Sequence, residues 1–239
     1  MTPLILIPGL GSDFAVWQPT TKALGSSAEC TVGNSLSDDS LPGMAARILS
    51  QAPERFSLAG VSMGGMVALE IMRSAPERVV RLALLDTNPR PDTPEQTAQR
   101  RSANAVALSS DNFEALAIGS LKYLVHPAAS ADVRNALVEM SVRVGAKTYA
   151  RQNEAVMKRA DQRPILPTIE VPTIVIVGAQ DVMTPMALSE EIREGIRGAH
   201  LHVIPDCGHL PPIEKPDAVA SLLRAWMGSA ATGLSPAAH

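Results

Sequence analysis

Apolar residues in the first ninety positions fall into two kinds of run. Leu4-Ile5-Leu6-Ile7 is short, continuous and apolar, the pattern of a strand buried on both faces. Residues 30–33 read as a second, weaker strand, 57–61 as a third and Val79–Leu85 as a fourth. Between them, residues 41–52 repeat at helical spacing, with Leu41, Met44, Ala45, Ile48 and Leu49 on one face. Residues 62–75 also have helical composition.

The pattern changes between about residues 91 and 162, where strand signals stop. Helix formers fill 94–108, 111–123, 131–144 and 148–160, which predicts a helical insertion too long for a simple connection and therefore functional. Strands resume at 173–177 and 199–204, and a last helix is expected over 216–227. Strands alternating with helices predict a mostly parallel sheet covered by helices on both faces. The expected division is an α/β core over 1–90 and 163–229, a helical subdomain over 91–162, and a flexible tail of small and polar residues over 230–239.

Composition narrows the class. A chain of 239 residues with 46% hydrophobic and only 19% charged positions suits one globular domain with a large core. A net charge of −3 with scattered basic residues offers no footprint for nucleic acid or anionic lipid. No apolar run approaches the roughly 20 residues a bilayer requires. The N-terminus reads as a first strand and lacks the basic leader of a secretory signal. Cys30 and Cys207 are too few for a disulfide framework or a thiolate metal site, so reduced thiols and a cytoplasmic location are expected.

The chemistry concentrates where strands end. Gly60-Val61-Ser62-Met63-Gly64-Gly65 follows a strand and opens a helix, the setting in which Gly-x-Ser-x-Gly forms a nucleophile elbow. A serine hydroxyl is a poor nucleophile at neutral pH and needs a base within hydrogen-bond reach. Among the five histidines, His209 stands in the turn-forming loop after the last strand; His200 and His202 lie inside that strand, His126 in the insertion and His239 at the end of the tail. The base in turn needs an acid to fix its tautomer. Asp181 follows the strand at 173–177, Asp86 ends another strand and is its rival, and Asp206 is better suited to capping its own loop. The order Ser62, Asp181, His209 is that of one hydrolase architecture. Donors for a developing oxyanion are expected from the backbone N–H of Met63 and of Leu10, the latter in Pro8-Gly9-Leu10-Gly11-Ser12. That loop lacks the Gly-x-Gly-x-x-Gly and Gly-Lys-Ser/Thr patterns of nucleotide sites.

On these residues the chain resembles the alpha/beta-hydrolase fold superfamily over nearly its whole length. Gly9-Leu10-Gly11-Ser12-Asp13 followed by Trp17, with Gly60 to Ala68, is similar to the beta-ketoadipate enol-lactonase and small carboxylesterase branch. Many members of that branch carry His-Gly where Pro8-Gly9 stands here. The resemblance implies a three-layer fold, with a trimmed sheet because the chain opens at what would be the superfamily's third strand. It also implies that 91–162 is a cap supplying the substrate pocket, with Trp17, Tyr123, Leu124, Met140 and Val144 as candidate lining residues. Arg143 and Arg151 are candidates for holding a substrate carboxylate. The implied activity is hydrolysis of a small carboxylic ester or lactone through an acyl-enzyme on Ser62, with neither metal nor organic cofactor. Carbon–carbon bond hydrolysis of a ring-cleavage product is the alternative, and a non-catalytic receptor that keeps the triad is a third. Dehalogenase and epoxide hydrolase chemistry is disfavoured, because those relatives carry aspartate at the position of Ser62.

Overall fold

A computed structural model describes residues 2–109 and 113–228; the tail at 230–239 and the first two positions of the helix expected at 111–123 lie outside the described residues. The strands are β1 (Leu4–Ile7), β2 (Cys30–Val32), β3 (Phe56–Val61), β4 (Val79–Leu85), β5 (Thr173–Gly178) and β6 (His200–Ile204). They form one six-stranded sheet in the order β2-β1-β3-β4-β5-β6, with every neighbouring pair parallel. The expected mostly parallel sheet is therefore parallel throughout among the described residues.

Strand alternation sorts the apolar side chains into two cores, one on each face. Ile5, Ile7, Leu58, Leu82, Leu84 and Val175 pack on α2 (Leu41–Gln51), α3 (Met63–Ser74) and α8 (Met186–Gly195). Leu4, Leu6, Ala59, Val61, Leu85 and Ile176 pack on the opposite face with α1 (Gln18–Leu24) and α10 (Pro216–Gly228), which follows the one-turn α9 (Pro211–Glu214). Full burial of β1, β3 and β5 explains why these strands are apolar-rich on both faces and do not alternate with exposed polar residues. Helices α1 and α8 are not predicted by the pattern: each buries only two residues, Thr20 and Leu24 in one, Ser189 and Ile192 in the other.

Between β4 and β5 the chain forms α4 (Pro94–Ser109), α5 (Phe113–Leu124), α6 (Ala131–Val144) and α7 (Ala146–Met157), with α4 against α7 and α5 against α6. Helix α7 starts two residues earlier than 148 because Gly145, at φ +78°, turns the chain directly out of α6. A buried charge cluster ties this insertion to its own entry segment. Asp92 accepts from Arg159 at 2.6 Å and from Arg100 at 2.7 Å, and the Arg159 and Asp92 side chains are only 1% and 2% exposed. At the exit, Gln162 donates its side-chain amide to the Met66 carbonyl at 2.8 Å and its backbone N–H to Pro89 at 2.8 Å.

The end of β3 is the tightest point of the fold. A Cβ on Gly60 would lie 2.2 Å from the Gly64 carbonyl oxygen, and a Cβ on Gly64 would lie 2.2 Å from that of Ile7. Both obstacles are backbone and cannot rotate away. Gly64→Ala should therefore destabilise the protein by about 3 kcal/mol, the upper part of the usual overpacking range. Gly119→Ala, at an exposed position inside α5 with nothing within 4 Å of the added Cβ, should instead gain up to about 1 kcal/mol. Urea unfolding of both variants checks the contrast, and equal midpoints would sink the close-approach account.

Candidate active site

The three glycines in Gly60-Val61-Ser62-Met63-Gly64-Gly65 let β3 turn into α3 with no intervening loop. Ser62 occupies the turn at φ +56°, ψ −121°, a region costly for a residue with a side chain. The surroundings over-determine it: its N–H donates to the Leu85 carbonyl at 2.9 Å, and the Thr87 hydroxyl donates to the Ser62 carbonyl at 2.7 Å. A Cβ on Gly65 would meet that threonine hydroxyl at 2.5 Å, which explains the second glycine of the pair.

The loop after β5 brings Asp181 to the same end of the sheet, and the loop after β6 brings His209. The Ser62 hydroxyl oxygen lies 2.8 Å from His209 Nε2, and His209 Nδ1 lies 2.9 Å from Asp181 Oδ2. His209 is 3% exposed, and its ring is fixed from both sides. Asp181 Oδ1 accepts the Met183 and Thr184 N–H groups at 2.7 and 3.0 Å, while the Thr184 hydroxyl donates to Oδ2 at 2.5 Å. Burial pushes the Asp181 carboxyl up. The charge His209 gains on protonation, its ring hydrogen bond and the Thr184 donors outweigh burial and hold Asp181 below the usual carboxylate range. Such a site can take a proton from Ser62 and stabilise the imidazolium that results.

His209 is also held by its backbone. Its N–H donates to the Leu124 carbonyl at 3.0 Å. The Glu214 carboxylate gathers the N–H groups of His126, Gly208 and Leu210 at 2.7, 3.1 and 3.2 Å, closing the loop around the imidazole. Burial, followed by the Glu214 charge, pushes the Cys207 thiol up and keeps it inert.

Opposite the serine, the Leu10 and Met63 N–H groups have no hydrogen-bond partner among the described residues. The next amide in that loop does have one. Gly11, at φ +70°, donates to Gln152 Oε1 at 2.7 Å, and Gln152 donates onward to the Ser35 carbonyl at 3.1 Å. Nearby, Asp13 pairs with Arg143 at 2.7 Å. The insertion thus fixes the loop that carries Leu10.

A cavity of about 190 Å³ opens over Ser62 and His209. Leu124 and Met140 line it, as expected. Trp17, Tyr123 and Val144 do not. Trp17 is fully buried in the α1/α10 core, Tyr123 is 50% exposed on the outside of α5, and Val144 ends α6 away from the cavity wall. Met66, Phe113, Leu116 and Tyr149 take their places, with Asn88, Gln96 and Arg100 on the polar side. Arg143 and Arg151 are committed elsewhere, to Asp13 and to the Leu36 carbonyl. Asp86, the rival acid, makes no hydrogen bond to His209; it sits beside Asp181, fully buried. Asp206 is exposed at φ +50° in its own turn.

Thr184, Glu214 and Gln152 escape sequence reasoning. The first two lie three and five residues from a triad candidate, a spacing that suits a hydroxyl or carboxylate folding back on its own loop. Gln152 lies 141 positions from Gly11, and no local signal marks it.

Comparison with known proteins places this geometry. The bifunctional biotin biosynthesis protein BioHC of Cellvibrio japonicus (strain Ueda107) is 25% identical over 244 residues, covering 97% of this chain and 48% of that protein. The chain therefore spans about half of that relative's length. The pimeloyl-(acyl-carrier protein) methyl ester esterase of Aromatoleum aromaticum is 26% identical over 239 residues, covering 92% of this chain and 96% of that one. Among solved structures, the enol-lactonase from Burkholderia xenovorans LB400 superposes with a TM-score of 0.82 at 25% identity, over 96% of this chain and 92% of that one. The model of the alpha/beta hydrolase family matches residues 4–222. With its parallel sheet and the serine turn after β3, the chain belongs to the alpha/beta hydrolase family.

Proposed function

We propose that this protein is a serine hydrolase of small carboxylic esters or lactones, working through an acyl-enzyme on Ser62. The observation that carries the reading is the continuous line from Ser62 Oγ to His209 at 2.8 Å and on to Asp181 at 2.9 Å, set on a strained turn. An esterase and an enol-lactonase among the similar proteins support the same class.

The geometry supports the following steps. His209 Nε2 takes the Ser62 proton as the serine oxygen bonds to the substrate carbonyl carbon, and Asp181 balances the imidazolium. The carbonyl oxygen becomes an oxyanion facing the Leu10 and Met63 N–H groups. Each such donor is typically worth about 3 kcal/mol of barrier. Collapse breaks the carbon–oxygen bond to the alcohol, which leaves with the proton from His209. Water then gives a proton to His209, attacks the acyl carbon, and the acid departs as Ser62 regains its hydrogen.

We read α4–α7 as a cap over this site, because all four helices contribute residues to the cavity wall; such a cap would keep bulk water from the reacting atoms. The cavity volume of about 190 Å³ suits a small acyl or lactone group. Cys30 and Cys207 are free thiols, which fits a reducing, cytoplasmic setting. No helix among the described residues is long and apolar enough to cross a membrane.

A fluorophosphonate probe should label Ser62 in the folded wild type and leave Ser62→Ala unlabelled. Absence of label on folded wild type would overturn the nucleophile assignment. Short p-nitrophenyl esters and small lactones should be turned over with a burst of acyl-enzyme; turnover confined to vinylogous diketones would move the reading to carbon–carbon cleavage. Asp181→Asn should lower kcat by roughly 10⁴-fold with KM little changed, as loss of the tautomer-fixing acid does elsewhere. A fall of less than about ten-fold would remove Asp181 from the triad.

A further inference from the structure

Behind the triad candidate lies a carboxyl group that the proposed chemistry does not use. Asp86 ends β4 at φ +43° and is 0% exposed. Its N–H donates to the Ile176 carbonyl at 2.9 Å, and its Oδ1 accepts the Gly178 N–H at 2.9 Å, so the residue stitches β4 to β5 at the active-site end of the sheet. Its second oxygen, Oδ2, is buried and has no donor. One carboxylate oxygen from each of Asp86 and Asp181 and a ring nitrogen of His209 lie within 4.8 Å of one another.

Two carboxyl groups in contact away from water cannot both be ionised at moderate cost. The site decides which keeps a proton. Asp181 has two N–H groups, the Thr184 hydroxyl and the His209 ring directed at its oxygens, all favouring the anion. Asp86 has a single N–H, and its buried Oδ2 has no donor where an anion would need one. A proton on Asp86 Oδ2 would make that partnerless oxygen a donor, and the neighbouring Asp181 carboxylate is an acceptor for it.

We propose that Asp86 is a positioning residue, held as a neutral carboxylic acid whose Oδ2–H donates to the Asp181 carboxylate and steers it toward His209. The charged and titratable groups around it are Asp181, His209, Cys207 and Glu214, and its surroundings hold its own carboxyl well above the usual range. The causes are burial first and the Asp181 charge second, only partly offset by the Gly178 N–H. With Asp86 neutral, the pair carries one negative charge, matched to the one positive charge His209 acquires during attack. The proposal rests on Asp181 serving His209 as proposed above.

Stability linkage reads the proton without any turnover. Unfolding releases Asp86 to water, where it ionises above the ordinary aspartate value, so wild type loses stability as pH rises. Asp86→Asn carries the same shape, an acceptor for Gly178, a donor for Asp181 and no proton to lose. Asparagine also tolerates positive φ. The ratio of wild-type to Asp86→Asn unfolding constants should therefore rise as pH climbs above the ordinary aspartate value of about 4, by up to ten-fold per pH unit while the folded Asp86 keeps its proton. In kinetics, Asp86→Asn should keep kcat within about five-fold. Asp86→Ala, which removes a hydrogen bond to a charged group, should lose about ten-fold or more at unchanged KM.

A ratio flat with pH, or Asp86→Asn falling as far as Asp86→Ala, would overturn the proposal. If Asp86→Asn does not fold, the infrared carbonyl band of a protonated carboxyl in wild type at neutral pH decides: its presence supports the proposal and its absence ends it. Labelling of Ser62 by a fluorophosphonate reports separately on the hydrolase reading, so failure of one is distinguishable from failure of the other.

Discussion

The approach of three backbones at the end of β3 sets the geometry of everything around it. Gly60, Gly64 and Ile7 come so close that no side chain fits between them, and the chain reverses from strand to helix at Ser62 alone. A residue with a Cβ in that turn costs on the order of 1–3 kcal/mol. The cost is met by two hydrogen bonds to one neighbouring segment, at the Leu85 carbonyl and the Thr87 hydroxyl. Because Leu85 ends β4 and Thr87 follows it by two residues, a shift of β4 would move the serine. Asp86 lies between those two residues and bridges to β5, so the elbow, the Asp86 carboxyl and the start of the Asp181 loop form one connected unit.

Parallel strands make this convergence possible. In β1, β3, β4, β5 and β6 the carboxyl ends fall along one edge, and the segments that follow carry Leu10, Ser62, Asp86, Asp181 and His209 in turn. Residues far apart in the chain meet because each needs to lie only a few positions beyond its strand. Gly178 shows how tight the meeting is: a Cβ there would lie 1.9 Å from the Gly208 carbonyl oxygen, so the loops bearing acid and base pack backbone to backbone.

Much of this was legible in the sequence, and the reasons are local. Apolar runs such as Thr173–Gly178 announce strands buried on both faces, and the glycines around Ser62 announce a turn no other residue permits. Candidates for acid and base sit beside strand ends, where a parallel sheet leads one to look. The misses share a different origin. Trp17, Tyr123 and Val144 were candidates for the pocket wall through the family resemblance, but which way a side chain faces depends on packing partners far away in sequence. The inward stripe of α7 is harder still, since Tyr149, Gln152, Asn153 and Val156 are at helical spacing yet two of the four are amides. Gln152 and Asn153 are buried to bond Gly11, Ser35, Arg100 and Asn104, so a hydrophobic pattern does not report them.

That mixed stripe has a mechanical consequence. Tyr149 and Val156 line the cavity while Gln152, between them, holds the loop that presents Leu10. Substrate contact and oxyanion-loop geometry are therefore set by one helix face. Moving α7 away from the sheet would leave the Gly11 N–H and the Ser35 carbonyl buried without partners, at about 1–3 kcal/mol each. It would also disturb Asn153 at Arg100, and through Arg100 the Asp92–Arg159 pair, whose charges have no water to turn to. Helix α7 is thus held by buried polar bonds as well as by the apolar contacts of Ala155 and Val156. Cavity shape can change through Phe113, Leu116 or Met66 without breaking any of these bonds, whereas a change at Gln152 alters the loop beside the serine before it alters the pocket.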